Sequence, residues 1–451
     1  MSDKFSIIHN SEGRKLRITG SLPPGFHGEA DSSGEFFLCP LDAQNAQAIR
    51  RELPWSAPVQ VGMRKSVGCG DRLGIATPGH LRAVREGDMF PVLAQQSIRE
   101  MQRARRSAQQ VLDDATWGVI QANYQDGWGC DADHLKTPED IDACAAAGYI
   151  GYTLDPGQYV DDEANTAGED MLKSKVNALP WDDLRDNPDQ HRAIYVDQLG
   201  WDATQYLRAA AKYGGAIARV AVLNAHIRQA LGGTPYDLEV SVDETATVTT
   251  PFEHRFIAME LKRLEVKFIG LAPRFVGEFE KGVDYIGDLK AFELDYTQHA
   301  AISRELGPYK LSIHSGSDKF KIYPIIARES GSIVHLKTAG TSWVEALRVI
   351  AEKNTSLFRE ILELDVRGYD ENRAIYHVSS QVSRIPQKSN AELPDLVDQF
   401  DAREVLHVSF GPVLAAFYDP IYSTLNSNIQ TYWEVLKRHF DNHIQPFKGH
   451  S

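Results

Sequence analysis

Short apolar runs alternate with longer amphipathic segments along most of this chain. Runs of this length, bounded by polar and turn-forming residues, are typical of buried strands, whereas apolar positions spaced three and four apart are typical of helices. The predicted strands cover residues 72–77, 117–123, 151–155, 238–244, 268–273, 309–315, 333–338 and 405–411. The predicted helices cover residues 93–114, 138–148, 203–231, 251–265, 342–365 and 429–447.

Strands that alternate with helices predict a parallel sheet, and eight such units predict an α/β fold of the (β/α)8 TIM-barrel type over residues 66–451. Residues 1–65 predict an N-terminal cap or small β-rich subdomain. Residues of about 156–200 are polar and acidic, and they predict an insertion after the third strand that is a candidate lid. A doubly wound open sheet is the alternative, but no G-x-G-x-x-G follows the first strand.

Composition narrows the classes of partner. The 451 residues are 42% hydrophobic and 24% charged, which is typical of a soluble globular protein. A formal net charge of -14 argues against nucleic acid or an anionic membrane as the main partner. The four cysteines form no CxxC pair, and the N-terminus lacks a basic-then-apolar signal, so we expect a cytoplasmic protein. A homo-oligomer is left open.

Two histidines mark the C-terminal ends of neighbouring predicted strands. His314 ends the run YKLSIHS, and His335 lies in IVHLKT. The C-terminal ends of barrel strands carry the chemistry of this fold, and two imidazoles there could share one metal ion. His407 occupies a similar position in the predicted strand 405–411.

Polar side chains also share the inward face of several predicted strands. Glu239, Ser241 and Asp243 lie on one face of the run LEVSVDE, and Lys337 shares a face with His335. Asp155 ends the third predicted strand. Buried polar groups are costly unless they have partners, so these faces predict a binding or catalytic site.

The segment before residue 138 supplies a second cluster. Thr137 followed by proline and two acids predicts a helix start, which places Asp133, His134 and Lys136 in the preceding loop. Where an aspartate lies beside a histidine, one of the two side chains can transfer protons while the other binds a metal ion.

Anion-binding sites are predicted in the segments that follow the sixth and the fifth predicted strands. Backbone N–H groups around Ser315 and Asp318, with the ammonium of Lys319, suit a carboxylate or phosphate. Arg274, after the fifth run, could bind a carboxylate through two hydrogen bonds.

Many separate blocks from about residue 70 to the end together resemble the tagaturonate epimerase family. These blocks are RLGIATPGHLRA, DADHLKTPED, GYTLDP, EVSVDETATVTTPFEH, GLAPRFVGEFEKGVDY, SIHSGSDKFKIYP, HLKTAGTSWVEAL and LHVSFGPVL. The resemblance implies a barrel enzyme that uses a divalent metal to interconvert D-tagaturonate and D-fructuronate. It also leaves open the uncharged ketohexoses tagatose and fructose as substrates.

The implied reaction inverts a carbon β to a ketone, which is not acidic. Transient oxidation by a nicotinamide needs a dinucleotide site that the sequence does not indicate, so retro-aldol cleavage and re-addition is favoured. That route needs a Lewis acid and a general acid/base. Asp133-His134 is similar to the pair in class II aldolases, where an aspartate precedes a metal-binding histidine.

These arguments give one hypothesis for the site. The predicted metal ligands, for zinc or alternatively manganese or nickel, are His134, His314 and His335. The predicted acid/base residues are Asp133 and Glu239. The predicted substrate-binding residues are Lys337, Lys319, Arg274, Ser315, Asp318, Asp155 and His407. Glu239 as a fourth ligand and His407 in place of one histidine stay open.

Three other functions remain compatible with the sequence. A metal-dependent aldolase would use the same ligands and release two fragments. A ketose isomerase would abstract a proton α to the carbonyl. A sugar-acid binding protein would show no turnover.

Overall fold

Eight parallel strands close into a barrel in the described part of the chain, residues 4–10 and 13–450 of a computed structural model. A separate antiparallel sheet precedes the barrel. Its strands are β1 Phe5–Asn10, β2 Gly13–Thr19, β3 Glu29–Ala30 and β4 Phe36–Cys39, and they lie in the order β1-β2-β4-β3. The barrel strands are β5 Ser66–Gly68, β6 Phe90–Ser97, β7 Gly129–Leu135, β8 Gly151–Leu154, β9 Asp237–Ser241, β10 Gly270–Ala272, β11 Lys310–Ile313 and β12 Val334–Lys337.

Helices surround the barrel and fill most of the connections between its strands. They are α1 Ala43–Glu52, α2 Thr77–Val84, α3 Ile98–Arg103, α4 Ala108–Ala122, α5 Pro138–Ala147, α6 Glu169–Asn177, α7 Trp181–Leu184, α8 Pro188–Arg192, α9 Ala203–Ala230, α10 Pro251–Arg263, α11 Leu289–Leu306, α12 Tyr323–Ser330, α13 Thr341–Lys353, α14 Thr355–Arg373, α15 Leu393–Leu396, α16 Phe400–Val408, α17 Phe410–Ser427 and α18 Ile429–Ile444. Within the described residues, none has the length and apolar character that crossing a membrane requires.

The predicted barrel is confirmed, but three of its predicted strands are wrong. Residues 117–122 belong to α4, residues 405–411 fall in α16 and α17, and residues 72–77 form the turn that enters α2. The strands in their place are β5, β6 and β7. The run at 117–123 imitates a strand because α4 is buried between the barrel and the N-terminal sheet, which makes it apolar on several sides.

The strands that the pattern missed have polar side chains inside the barrel. Strand β6 ends in Gln95, Gln96 and Ser97, all buried, and β7 contains Asp131 and Asp133. The predicted helix 93–114 therefore began too early. The missed strands also change the numbering of the barrel strands. The insertion contains helices α6 to α8, and it follows the fourth barrel strand and not the third.

Strand register brings the polar side chains of the barrel interior together. Thr153 pairs with Glu239 across β8 and β9, and Gln95 pairs with Asp131 across β6 and β7. Parallel strands place all their C-terminal ends at one mouth, and interior side chains from neighbouring strands form layers below it. Residues distant in sequence therefore meet in one buried polar layer.

The N-terminal sheet shares its apolar core with a barrel helix. Leu16, Ile18 and Ile49 pack in one cluster with Trp117 and Ile120 of α4. Trp117 has no exposed surface. The sheet therefore buries its apolar face against the barrel.

Replacing Trp117 with alanine should lower the free energy of unfolding by about 3–5 kcal/mol, because it leaves a cavity between the sheet and α4. We also expect the wild type to unfold in one transition, since the two parts share this core. Urea unfolding followed by circular dichroism and fluorescence tests both expectations. Leu294→Ala, at a position that is 65% exposed, is the matched control. Two separate transitions in the wild type would contradict the shared core.

Candidate active site

Two adjoining cavities open at the C-terminal mouth of the barrel, with volumes of about 310 Å³ and 60 Å³. Both are lined by charged side chains from α3 and from the loops that follow β9, β10 and β11. The residues common to both cavities are Arg99, Asp243, Glu244, Lys281, His314, Ser315 and Tyr376. Such a mouth suits a small polar molecule with several hydroxyl groups.

One ammonium group lies at the centre of the interior below the mouth. Lys337 Nζ is 2.8 Å from Asp131 Oδ2, 2.7 Å from Asp133 Oδ1 and 2.9 Å from Glu239 Oε1. It also donates to Thr153 Oγ1 at 2.8 Å. All four partners are buried. One cation therefore fixes carboxylates from two strands, β7 and β9.

The charges of this cluster depend on one another. Burial alone would lower the pKa of Lys337, but the carboxylates of Asp131 and Asp133 raise it well above its usual range. Burial likewise works to raise the pKa of Glu239, but Lys337 holds that pKa well below its usual range. Burial raises the pKa of Asp131 in spite of Lys337. Lys337 and Glu239 are consequently charged at neutral pH.

Two histidines and a carboxylate converge at the mouth above Lys337. The rings of His134 and His314 lie 4.9 Å apart between centroids. His314 Nδ1 is 2.9 Å from Asp243 Oδ1. One ligand atom from each of these three residues lies within 4.8 Å of the other two. Two imidazoles and a carboxylate are a donor set that catalytic zinc sites use, with positions left for substrate, so the residues present fit a divalent cation.

Each of these histidines has a carboxylate partner on its other ring nitrogen. His134 Nδ1 is 2.8 Å from Asp133 Oδ1, and His314 Nε2 is 2.7 Å from Glu239 Oε1. A carboxylate on the second nitrogen fixes the tautomer and orientation of metal-binding histidines. Because Lys337 contacts both carboxylates, it indirectly orients both imidazoles.

Local backbone geometry allows Asp133 and His134 to face the mouth together. Side chains alternate along a regular strand, so neighbours would point to opposite faces. His134 has a φ of 56°, and the pairing of β7 with β8 shifts register between Ala132 and Leu135. Irregularities of this kind re-aim side chains next to active sites. The prediction that these two residues lie in a loop is wrong, although Thr137 does cap α5 as predicted.

Burial opposes the charged form of these histidines, and their acidic neighbours favour it. Burial would lower the pKa of His134, but Asp133 raises it to about 10. The pKa of His314 is also raised, against burial, mainly by Asp243. Metal ligation needs neutral imidazoles, so binding of a cation would release protons here.

His335 lies deeper in the barrel than the other two predicted metal ligands. Its Nδ1 is 2.9 Å from Ser66 Oγ, and it lines a small interior cavity of about 30 Å³ with Lys310. Burial lowers the pKa of His335 to about 3, so it is neutral. His335 precedes Lys337 by two residues on β12, which puts it one layer further from the mouth. The structure brings His134 and His314 together with Asp243 instead.

The predicted substrate-binding residues divide into those at the mouth and those away from it. Ser315 and Arg274 line the larger cavity, and Lys337 and His407 line the smaller one. His407 lies on α16, so its prediction as a strand residue is wrong.

The remaining predicted residues have other partners. Asp155 forms an ion pair with Lys136 at 2.9 Å. Asp318 is buried between Arg403 at 2.8 Å and His439 at 2.6 Å. Lys319 Nζ donates to backbone carbonyls and contacts neither cavity.

Several residues at the mouth received no role from the sequence. Asp243 was noted on an inward face, and Glu244 follows it directly. Asp131 and Asp133 are two residues apart, which is the spacing of side chains on one face of a strand. This spacing is a signal by which both residues can be recognised in the sequence. The remaining ones come from α3, from the loop after β10 and from the segment between α14 and α15, and no pattern distinguishes them as site residues: Arg99, Lys281, Tyr376 and His377.

Comparison with known proteins gives consistent matches over almost the whole chain. A family model described as tagaturonate epimerase matches residues 3–447. The tagaturonate/fructuronate epimerase of Thermotoga maritima is 38% identical, over 99% of this chain and 94% of that protein. The native crystal structure of fructuronate-tagaturonate epimerase UxaE from Cohnella laeviribosi is 36% identical, covers 98% of this chain and 93% of that chain, and superposes with a TM-score of 0.91. A glycerol complex of that enzyme gives the same values.

Replacing Lys337 with methionine should lower the free energy of unfolding by about 3–5 kcal/mol at neutral pH, because three buried carboxylates lose their shared cation. Without Lys337 the pKa values of these carboxyls rise in the folded state above their unfolded values. The loss should therefore shrink as the pH falls to about 5, where the carboxyls take up protons. Urea unfolding at both pH values tests this. Lys353→Met, at the end of α13, is the matched control. An unchanged stability would contradict the central role of Lys337.

Proposed function

Since the chain belongs to the tagaturonate epimerase family and is a carbohydrate epimerase, we propose that it interconverts D-tagaturonate and D-fructuronate by retro-aldol cleavage and re-addition. The observation that carries the proposal is the mouth itself, where His134, Asp243 and His314 converge beside a cavity of about 310 Å³. Tagatose and fructose, which lack the carboxylate, are proposed as further substrates.

The reaction inverts the carbon whose hydroxyl is β to the ketone. A base takes the proton of that hydroxyl while the bond to the α carbon breaks. The bonding electrons pass to the α carbon and the ketone as an enediolate, and the hydroxyl carbon becomes an aldehyde. The aldehyde fragment rotates, the α carbon attacks its other face, and the new alkoxide takes the proton back. No hydrogen leaves carbon at any step.

The residues at the mouth divide the work of this reaction. His134, Asp243 and His314 would hold a divalent cation, with zinc the first choice for this donor set. When bound, such a cation supplies charge stabilisation to the enediolate. Glu239 lines neither mouth cavity and contacts His314, so we assign it to orienting that ring.

Proton transfer is assigned to carboxylates that reach the mouth. Asp133, expected as an acid/base from the sequence, lines the smaller cavity. Glu244 lines both cavities, so we assign the second role to it in place of Glu239. Burial works to raise the pKa of Glu244, but His134 lowers it, so the group is available as a base at neutral pH. The larger cavity provides space in which the aldehyde fragment can rotate.

Replacing His314 with alanine should abolish turnover and lower the content of bound divalent metal, because the variant loses one of three ligands. Metal analysis of the purified protein and product analysis with D-tagaturonate measure both effects, and circular dichroism reports the fold. His226→Ala is the matched control, since His226 pairs with Asp142 on the outer surface of α9 and α5. Full metal content and activity in the His314 variant would overturn the proposed site.

Turnover in deuterium oxide should leave the hydrogen on the inverted carbon in place, because the retro-aldol route breaks a carbon–carbon bond. Nuclear magnetic resonance of the product from D-tagaturonate measures this. Deuterium at the inverted carbon would indicate direct proton abstraction instead. Accumulation of two shorter fragments would favour an aldolase.

A further inference from the structure

Most cationic side chains that line the mouth are already neutralised by a carboxylate. Arg99 lies 3.2 Å from Glu244, and Arg274 lies 3.7 Å from Glu278. Lys337 is surrounded by three carboxylates, as described above. These side chains have partners that an incoming anion would have to displace.

Lys281 differs from these cations. It lines both cavities, and its hydrogen bond is to a neutral group, the hydroxyl of Ser315, at 2.6 Å. In the described part of the chain, it forms no ion pair with a carboxylate. A half-buried ammonium group in this position can take an anionic partner without first losing one.

The backbone on both sides of Lys281 is held in place by two buried cations. Lys319 Nζ donates to the carbonyl oxygens of Glu280, at 2.8 Å, and Val283, at 2.5 Å. Arg403 Nε donates to the carbonyl oxygen of Gly282 at 2.5 Å. Three anchored carbonyl groups within four residues can pre-position a binding side chain.

Close packing requires glycine at the position after Lys281. Gly282 has a φ of +74°, and a Cβ there would lie 2.8 Å from Cδ2 of His407. The loop therefore passes tightly against α16. His407, expected from the sequence to bind substrate, packs against the backbone of this loop.

We propose that Lys281 binds the carboxylate of the uronate substrate and thereby favours uronates over uncharged ketohexoses. The proposal rests on the proposed function for the identity of the substrate. It assigns the charge-recognition role to Lys281 ahead of Arg274, Lys319 and Lys337. Lys319 acts on the loop that carries Lys281, and Ser315 keeps the ammonium group directed to the junction of the two cavities.

Direct binding tests the proposal without relying on turnover. Isothermal titration calorimetry of the metal-loaded protein with D-tagaturonate should show a dissociation constant raised roughly 10- to 100-fold by Lys281→Met, since a charge-assisted hydrogen bond is lost. Binding of D-tagatose should change less than about threefold, because it has no carboxylate. Lys281→Arg should recover much of the affinity for D-tagaturonate. Lys262→Met, at an exposed lysine of α10, is the matched control.

The outcomes separate this proposal from the proposed function. Equal losses for both sugars would show that Lys281 acts on an oxygen they share, and would overturn the carboxylate role. Unchanged binding of D-tagaturonate by the Lys281→Met protein, or absence of D-tagaturonate binding to the wild type, would also overturn it. If the wild type binds D-tagaturonate but does not epimerise it, the proposed function fails while the result for Lys281 stands.

Discussion

The ammonium group of Lys337 lies between carboxylates from β7 and β9, in a layer of buried side chains. Three acids in such a place would repel one another strongly without it. The cation lowers the pKa of Glu239, and His134 together with the cation lowers the pKa of Asp133, so that both carboxylates stay ionised next to Lys337. The orientation of both mouth histidines depends in turn on those two carboxylates.

This dependence runs upward from the barrel interior to the mouth. Asp133 holds one ring nitrogen of His134, and Glu239 holds one ring nitrogen of His314. The remaining nitrogen of His314 lies 2.9 Å from Asp243 Oδ1, and that of His134 lies 4.0 Å from Glu244 Oε1. Asp133 and Glu239, which orient the two histidines, lie on strands, and strands position a site more firmly than loops do.

The loop that follows β10 adds recognition to this rigid base. Buried cations Lys319 and Arg403 hold its carbonyl groups, and the loop carries Arg274 and Lys281 to the larger cavity. The two mouth histidines are oriented by carboxylates of β7 and β9, whereas Lys281 is held by its own loop and by Ser315, the residue after His314.

The alternation of apolar runs and amphipathic segments determined the barrel, and polar residues at strand ends determined that His134 and His314 belong to its mouth. Local pattern missed β6, because Gln95, Gln96 and Ser97 are consecutive polar residues that break the alternation of a strand, and it left the alternating acids of β7 as a signal that was not used. It could not place His335 below the mouth or bring Asp243 into its position, since both depend on strand register and on the backbone turn at His134. It also gave no sign of Lys281. The role proposed for Lys281 rests on its hydrogen bond to a neutral hydroxyl, whereas Arg99 and Arg274 pair with carboxylates. Which strands pair, how deep a side chain lies in the barrel and whether a charge has a partner all depend on residues that are distant in sequence. Only the closed barrel brings those residues together.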